Sequence, residues 1–89
     1  MADFIKFDLG HLPAGSVVEI KLGHRANAHL VDANNFSRYR RGESFSGVGG
    51  EVLRSPVQLS TPTSDHWYAV FDLGGAAGRI EADVAVLSA

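Results

Sequence analysis

The residues best suited to bind a ligand lie in one basic and aromatic segment near the middle of the chain. It runs Phe36-Ser-Arg-Tyr-Arg-Arg-Gly42, and its three arginines belong to a total of eight lysines and arginines in 89 residues. An arginine guanidinium binds a carboxylate or a phosphate through two parallel hydrogen bonds, and an aromatic ring beside it stacks on a ligand ring. The segment therefore predicts a site for a small anionic ligand or an acidic protein partner. The candidate ligand-binding residues are Arg38, Tyr39, Arg40, Arg41, Arg54 and His66.

The same segment has a second interpretation, in which it binds nothing. Phe36 and Tyr39 would then pack onto the rest of the protein, and the arginines would pair with Asp32, Glu43 and Glu51. Surface arginines beside aromatic rings are common in proteins. The sequence leaves both interpretations open.

Other chemistries have less support. The chain contains no cysteine, and His24 and His29 differ by an odd number of positions, so in one strand they would face opposite sides and could not share a zinc ion. No Gly-x-Ser-x-Gly sequence is present, and the glycine-rich segments 47–50 and 74–78 lack the Gly-x-Gly-x-x-Gly spacing. We therefore expect no catalytic residue, no metal and no cofactor, and interpret the two glycine-rich segments as turns or bulges.

Charge and hydropathy argue against two classes of partner. The formal net charge is −2 and the pI is about 6.0, whereas a domain that binds a nucleic-acid duplex is usually strongly basic. No run approaches the ~20 apolar residues of a membrane helix. Asp3 and Asp8 stand where a secretion signal would need a cationic and then an apolar stretch. We expect no nucleic acid, no membrane and a cytoplasmic location.

The elements that must position these residues are strands. Apolar and polar residues alternate over 4–9, 16–22, 66–73 and 79–87, and such a period of two is typical of half-buried strands. A weaker alternation covers 26–33. Short strands at this spacing predict an all-β fold, a small antiparallel β-sandwich of jelly-roll type with six to eight strands. The length predicts one domain over residues 1–89.

Segment 32–54 lacks a sustained period. We expect a long loop with short strands near 51–54, and residues 34–41 have room for one short turn of helix. Loops longer than about 12–15 residues are often functional. On this pattern the segment would contribute little to the core.

One tetrapeptide occurs twice. Phe7-Asp-Leu-Gly10 returns as Phe71-Asp-Leu-Gly74, and each copy precedes another glycine and an alternating strand. Coincidence and a pair of equivalent corners both explain the match. The repeat bears on the fold and not on the function.

Five sequence blocks together resemble a small bacterial family, domain of unknown function 1883. They are Phe7-Asp-Leu-Gly-His-Leu, Gly15-Ser-Val-Val-Glu-Ile, Asn35-Phe-Ser-Arg-Tyr-Arg-Arg-Gly, Arg54-Ser-Pro-Val, and His66-Trp-Tyr-Ala-Val-Phe-Asp-Leu-Gly-Gly-Ala-Ala-Gly-Arg. The resemblance spans nearly the whole chain. It implies a compact bacterial β-sandwich, found alone or attached to a TIR-like domain, and it implies no catalytic residues.

Three functional hypotheses follow. The first is a non-catalytic recognition module that binds a small anion or an acidic partner through segment 32–54. The second is a structural or homo-oligomerisation module in which strand edges near 56–60 or 79–87 pair between copies. The third is an enzyme of unknown type, because a loop rich in Arg, Asn and Ser is similar to many active sites.

Overall fold

A computed structural model of the chain describes residues 4–74 and 78–88. The elements are β1 (Phe4–Leu12), β2 (Val17–Leu22), β3 (Ala26–Asp32), α1 (Ala33–Arg40), β4 (Val48–Val52), β5 (Val57–Ser60), β6 (Asp65–Asp72) and β7 (Ala82–Ser88). The described strands form two antiparallel sheets, one in the order β1-β6-β3-β4 and the other in the order β5-β2-β7. Most connections pass from one sheet to the other, as in a jelly roll. The prediction of a small all-β sandwich with six to eight strands is confirmed.

The main core lies between the two sheets and uses the positions that alternation predicted to face inward. On β2, for example, Val18 and Ile20 are fully buried, whereas Lys21 is exposed. Burying one such side chain stabilises the fold by about 1.5–3 kcal/mol. The buried members of this core are Leu12, Val18, Ile20, Ala28, Leu30, Val52, Trp67, Ala69 and Phe71.

A second, smaller cluster lies on the outer face of the four-stranded sheet, where α1 covers it. Val31 and Val70 point outward from β3 and β6 and are fully buried by Phe36 of α1, which is itself only 8% exposed. The expectation that segment 32–54 contributes little to packing is therefore wrong. Its helix is also longer than the single turn expected, since α1 has eight residues. No helix in residues 4–74 and 78–88 is long and apolar enough to cross a membrane.

The first glycine-rich segment is a strand and not a turn. Residues 48–50 belong to β4, where Gly49 pairs with His29 and Gly50 with Ala28. The interpretation of 47–50 as a turn or bulge is thus wrong for most of the segment. The interpretation was wrong because glycine here allows β3 and β4 to approach each other closely. A Cβ on Gly49 would lie 2.3 Å from the carbonyl oxygen of Ala28. In the second segment, Gly74 lies in a turn, and residues 75–77 are outside the described residues.

The two Phe-Asp-Leu-Gly copies have the same local geometry. Asp8 Oδ1 accepts a hydrogen bond from the N–H of Gly10 at 2.9 Å, and Asp72 Oδ1 accepts one from the N–H of Gly74 at 2.8 Å. The glycines have φ values of 72° and 69°, which favour glycine. The two copies occupy different places in their strands, because the first forms a bulge within β1 and the second ends β6. Both carboxylates lie on the outer face of the same sheet.

Candidate functional site

The helix α1 begins and ends at residues suited to those positions. Asp32 caps its start, since Asp32 Oδ1 accepts from the N–H of Asn35 at 2.8 Å. After its last turn, Gly42 adopts φ 76° and its N–H donates to the carbonyl of Tyr39 at 3.1 Å. A helix of eight residues is unstable alone in water, so its position depends on what it packs against.

Aromatic rings hold α1 on the sheet. Phe36 stacks on Tyr68 of β6 with ring centroids 4.2 Å apart, and Tyr39 packs edge-on against Phe4 at 5.0 Å. Phe45, which follows the helix, packs edge-on against Tyr39 at 5.0 Å. Tyr39 and Phe45 are half-buried, so the ring layer lies between the sheet and solvent. This layer fixes α1 and the segment after it relative to each other.

A polar network lies beneath the C-terminal end of α1, around Asp72. Its Oδ2 accepts from the hydroxyl of Tyr39, and its Oδ1 accepts from Asn27 Nδ2 at 2.8 Å and from the N–H of Gly74. Burial raises the pKa of Asp72, but the hydrogen bonds from Tyr39, Asn27 and Gly74 outweigh it and lower the pKa overall. Burial, the hydrogen bond and the charge of Asp72 together raise the pKa of Tyr39 far above its ordinary value. The network therefore holds a carboxylate and a neutral phenol.

His29 lies beside this network, and its burial favours the neutral imidazole. Burial lowers the pKa of His29, and the negative charge of Asp72 opposes that effect only in part. The imidazole packs edge-on against Phe45 at 5.2 Å. His29 therefore packs among the aromatic side chains under α1.

A shallow groove runs between α1 and the segment that follows it. Asn35 of α1 connects the helix to the following segment, because its Oδ1 accepts a hydrogen bond from the N–H of Ser46 at 2.8 Å. The Nδ2 of Asn35 donates to Asp32. The groove has a volume of about 390 Å³. Its walls present amide, hydroxyl and guanidinium donors beside one aromatic ring. The lining residues are Asn34, Asn35, Arg38, Ser44, Phe45 and Ser46.

The six residues predicted to bind a ligand do not line a common cavity, although four of them are consecutive in sequence. Arg38 lines the groove, and Arg40 is exposed on the same helix. Arg41 forms an ion pair with Glu43, with Nε 2.9 Å from Oε2, as the alternative interpretation expected. Arg54 lies in the loop that crosses from β4 to the other sheet, where its neighbour Ser55 accepts from the N–H of Leu22.

The other two predicted residues are held by carboxylates. The hydroxyl of Tyr39 donates to Asp72, as described above. The Nε2 of His66 lies 2.6 Å from Asp8 Oδ1, and the imidazole lies against Tyr68 with centroids 4.9 Å apart. The N–H of Gly10 lowers the pKa of Asp8, and His66 adds to that effect. Asp8 thus provides a carboxylate that holds a half-buried histidine.

Sequence reasoning missed Asp8, Asn27, Asp72 and the groove residue Ser46. A signal for the two aspartates was present, because the repeated Phe-Asp-Leu-Gly and the alternation of β1 and β6 place both on one face. No signal identified Asn27 or Ser46, whose roles depend on contacts across the sheet and the helix. Residues 4–74 and 78–88 contain no group of three or more histidine or acidic side chains that could hold a metal ion.

The model of a protein family described as "Domain of unknown function (DUF1883)" matches residues 2–89. Searches of curated proteins and of solved structures found no significant match.

Proposed function

The chain belongs to the DUF1883 family, and we propose that it is a non-catalytic recognition module that binds the anionic group of a small ligand in the groove between α1 and residues 43–47. The observation that carries the proposal is the position of Arg38 in that groove. An acidic side chain of a protein partner presents the same carboxylate chemistry.

Arg38 has a charge that no described carboxylate neutralises. Within residues 4–74 and 78–88 it forms no ion pair, whereas Arg41 on the next turn is paired with Glu43. A guanidinium presents its N–H groups in a planar fork that matches a carboxylate or a phosphate. Of the four arginines predicted from sequence, Arg38 alone lines the groove, and this supports Arg38 as the residue that binds the anionic group.

Neighbouring groups extend the set of donors. The side chains of Asn34, Ser44 and Ser46 line the same groove, and none of them makes a hydrogen bond to a described residue. Amide N–H₂ and hydroxyl groups donate to anionic oxygens. The ring of Phe45 offers an apolar surface for the rest of the ligand. The groove thus combines one charge, several neutral donors and a flat apolar contact.

Catalysis has less support at this position. The described lining residues include no histidine and no carboxylate that could activate the hydroxyl of Ser44 or Ser46. The pair formed by His66 and Asp8 lies on β6 and β1 and does not line the groove. These groups support binding of a ligand in the groove more than they support its chemical conversion.

The test is a titration with inorganic phosphate, citrate and N-acetylaspartate, followed by amide chemical shifts. We expect at least one probe to shift the signals of Ser44 and Ser46, with a Kd of about 0.1–1 mM because the site is open and holds one charge. Arg38→Gln should raise that Kd about 10- to 100-fold, since a charge-assisted hydrogen bond contributes about 1.5–3 kcal/mol and about 1.4 kcal/mol corresponds to a factor of ten. Arg40→Gln is the matched control, because Arg40 is exposed on the same helix and does not line the groove.

Two results would contradict the proposal. One is that none of the three probes shifts Ser44 or Ser46 at 20-fold the highest expected Kd. The other is equal binding by the wild type and Arg38→Gln.

A further inference from the structure

Of the three aromatic rings in residues 33–46, that of Phe45 alone lines the groove beside α1. Phe36 is buried and stacks on Tyr68, and the hydroxyl of Tyr39 donates to Asp72. Phe45 is half-buried, so part of its side chain remains accessible from the groove. Phe45 is therefore the ring that a ligand in the groove would contact.

The ring of Phe45 is held in place by its neighbours. It stands nearly perpendicular to Tyr39, at 89° with centroids 5.0 Å apart, and to His29 of β3, at 86° and 5.2 Å. The N–H of the next residue, Ser46, donates to Asn35 Oδ1 at 2.8 Å, which fixes the backbone beside the ring. A side chain that is already fixed loses little conformational entropy on binding, so its contact with a ligand contributes more to affinity.

The groove is larger than the anionic group that Arg38 would bind. Its volume is about 390 Å³, whereas one water molecule takes about 30 Å³ in the liquid, so the groove has space for roughly a dozen water-sized groups. A bare phosphate or carboxylate fills only a minor part of that space. The groove therefore has room beside Phe45 for the body of a larger ligand, to which the anionic group is attached.

The charges at the groove restrict the ligand further. Arg38 is the one charged side chain among the described lining residues, so the groove matches a single anionic group better than a chain of phosphates. Glu43 precedes the lining residue Ser44, but its carboxylate is paired with Arg41. The described lining residues offer no carboxylate to an ammonium group, and this disfavours amino acids and other zwitterions.

We propose that the groove selects a planar aromatic ring that carries one carboxylate or phosphate, with the ring against Phe45 and the anionic group on Arg38. The ring contact rests on the anion site proposed above, because Arg38 binds the charge of the ligand. Aromatic pairs gain affinity beyond the apolar area that they bury, so Phe45 prefers a planar ring to a saturated ring of the same size. Phe45, which is absent from the residues predicted from sequence, is thus the residue that determines specificity.

Two pairs of ligands test this preference in the wild-type chain. Benzoate and cyclohexanecarboxylate have the same charge and a similar size, so we expect the aromatic ring to make benzoate bind about three- to tenfold more tightly. Phenyl phosphate and cyclohexyl phosphate give the same comparison for a phosphate, and the tighter aromatic ligand identifies the anionic group that the groove takes. The amide shifts of Ser44 and Ser46 give the affinities, and nuclear Overhauser effects between the ligand ring and Phe45 give the contact.

Substitution of Phe45 tests whether this ring causes the preference. Phe45→Leu keeps an apolar side chain without a ring, so benzoate should bind about three- to tenfold more weakly while the Kd of cyclohexanecarboxylate changes less than about twofold. Phe45→Tyr keeps the ring and is the matched control, which should bind benzoate as the wild type does. The fluorescence of buried Trp67 shows whether each variant is folded. The ligand pairs test the preference in the wild type even if Phe45→Leu unfolds.

The outcomes separate the ring contact from the anion site. Equal Kd values for benzoate and cyclohexanecarboxylate would overturn the ring contact and leave Arg38 as an anion site. A preference for benzoate that a folded Phe45→Leu retains would do the same. If Arg38→Gln binds benzoate as tightly as the wild type does, or if none of the four ligands binds, the anion site fails together with the ring contact.

Discussion

Replacing Phe36 with alanine tests whether α1 is part of the packed structure. Phe36 is 8% exposed and stacks on Tyr68 at 4.2 Å. Truncating a buried phenylalanine costs about 3–5 kcal/mol. We expect about 3 kcal/mol, the lower limit, because α1 packs against a single sheet face and its neighbours can relax into the space. The lost ring pair accounts for about 0.5–1.5 kcal/mol of that value.

The assay is urea unfolding followed by the fluorescence of Trp67, the one tryptophan in the chain, which is 3% exposed. The free energy of unfolding should fall by about 3 kcal/mol and the melting temperature by roughly 12–24 °C, at about 4–8 °C per kcal/mol for a chain of this size. Arg40→Ala, on the exposed side of the same helix, should change it by less than about 0.5 kcal/mol. A loss below about 1 kcal/mol for Phe36→Ala would refute the packing of α1 on the sheet.

Two further predictions concern the backbone of β4 and the network under α1. Gly49→Ala would combine a strained φ of 116° with a Cβ 2.3 Å from the Ala28 carbonyl oxygen, so it should lower the free energy of unfolding in urea by about 2–4 kcal/mol. Gly42→Ala is the control and should lower it by about 1 kcal/mol, because the space around Gly42 is open. Equal losses in the two variants would exclude the close approach of β3 and β4. Because folding raises the pKa of Tyr39, this residue stabilises the folded protein fully below pH ~10, the ordinary pKa of tyrosine. Its contribution to the free energy of unfolding is lost as the pH rises toward the pKa of Tyr39 in the folded protein. Because the phenol of Tyr39 donates to the charged Asp72, Tyr39→Phe should lower the free energy of unfolding by about 1.5–3 kcal/mol at pH 7 and by less above pH ~10.5. A difference between wild type and variant that grows with pH would contradict the hydrogen bond from Tyr39 to Asp72.

Strand faces were predictable because the side-chain period in a strand is local. Alternation in β2 and β6 placed Ile20 and Phe71 in the core and Glu19 and Asp72 outside it, and the structure confirms this. The prediction of six to eight strands came from the spacing of such short runs, and the described residues form seven strands. None of these inferences requires knowing which strands are neighbours.

Segment 32–54 was predicted less well, for a physical reason. Phe36 and Tyr39 are three positions apart, which is one helical turn, but eight residues are too few for a periodic pattern to stand out. The glycines of β4 favour turns by local preference, and only the close approach to Ala28 explains why a strand needs Gly49. Local propensity and tertiary contact disagree at these positions, and the contact prevails.

The sequence by itself determined that this chain folds as a sandwich and which side chains face each way along its strands. The tertiary structure decided which groups meet. Asp8 reaches His66 because β1 and β6 are antiparallel neighbours, Tyr39 reaches Asp72 because α1 lies across the outer face of the sheet, and Arg38 alone of the four arginines lines the groove. Periodicity is a property of adjacent residues, whereas the Asp8–His66 and Tyr39–Asp72 contacts join residues 58 and 33 positions apart, so they depend on strand pairing and on the packing of α1 against the sheet.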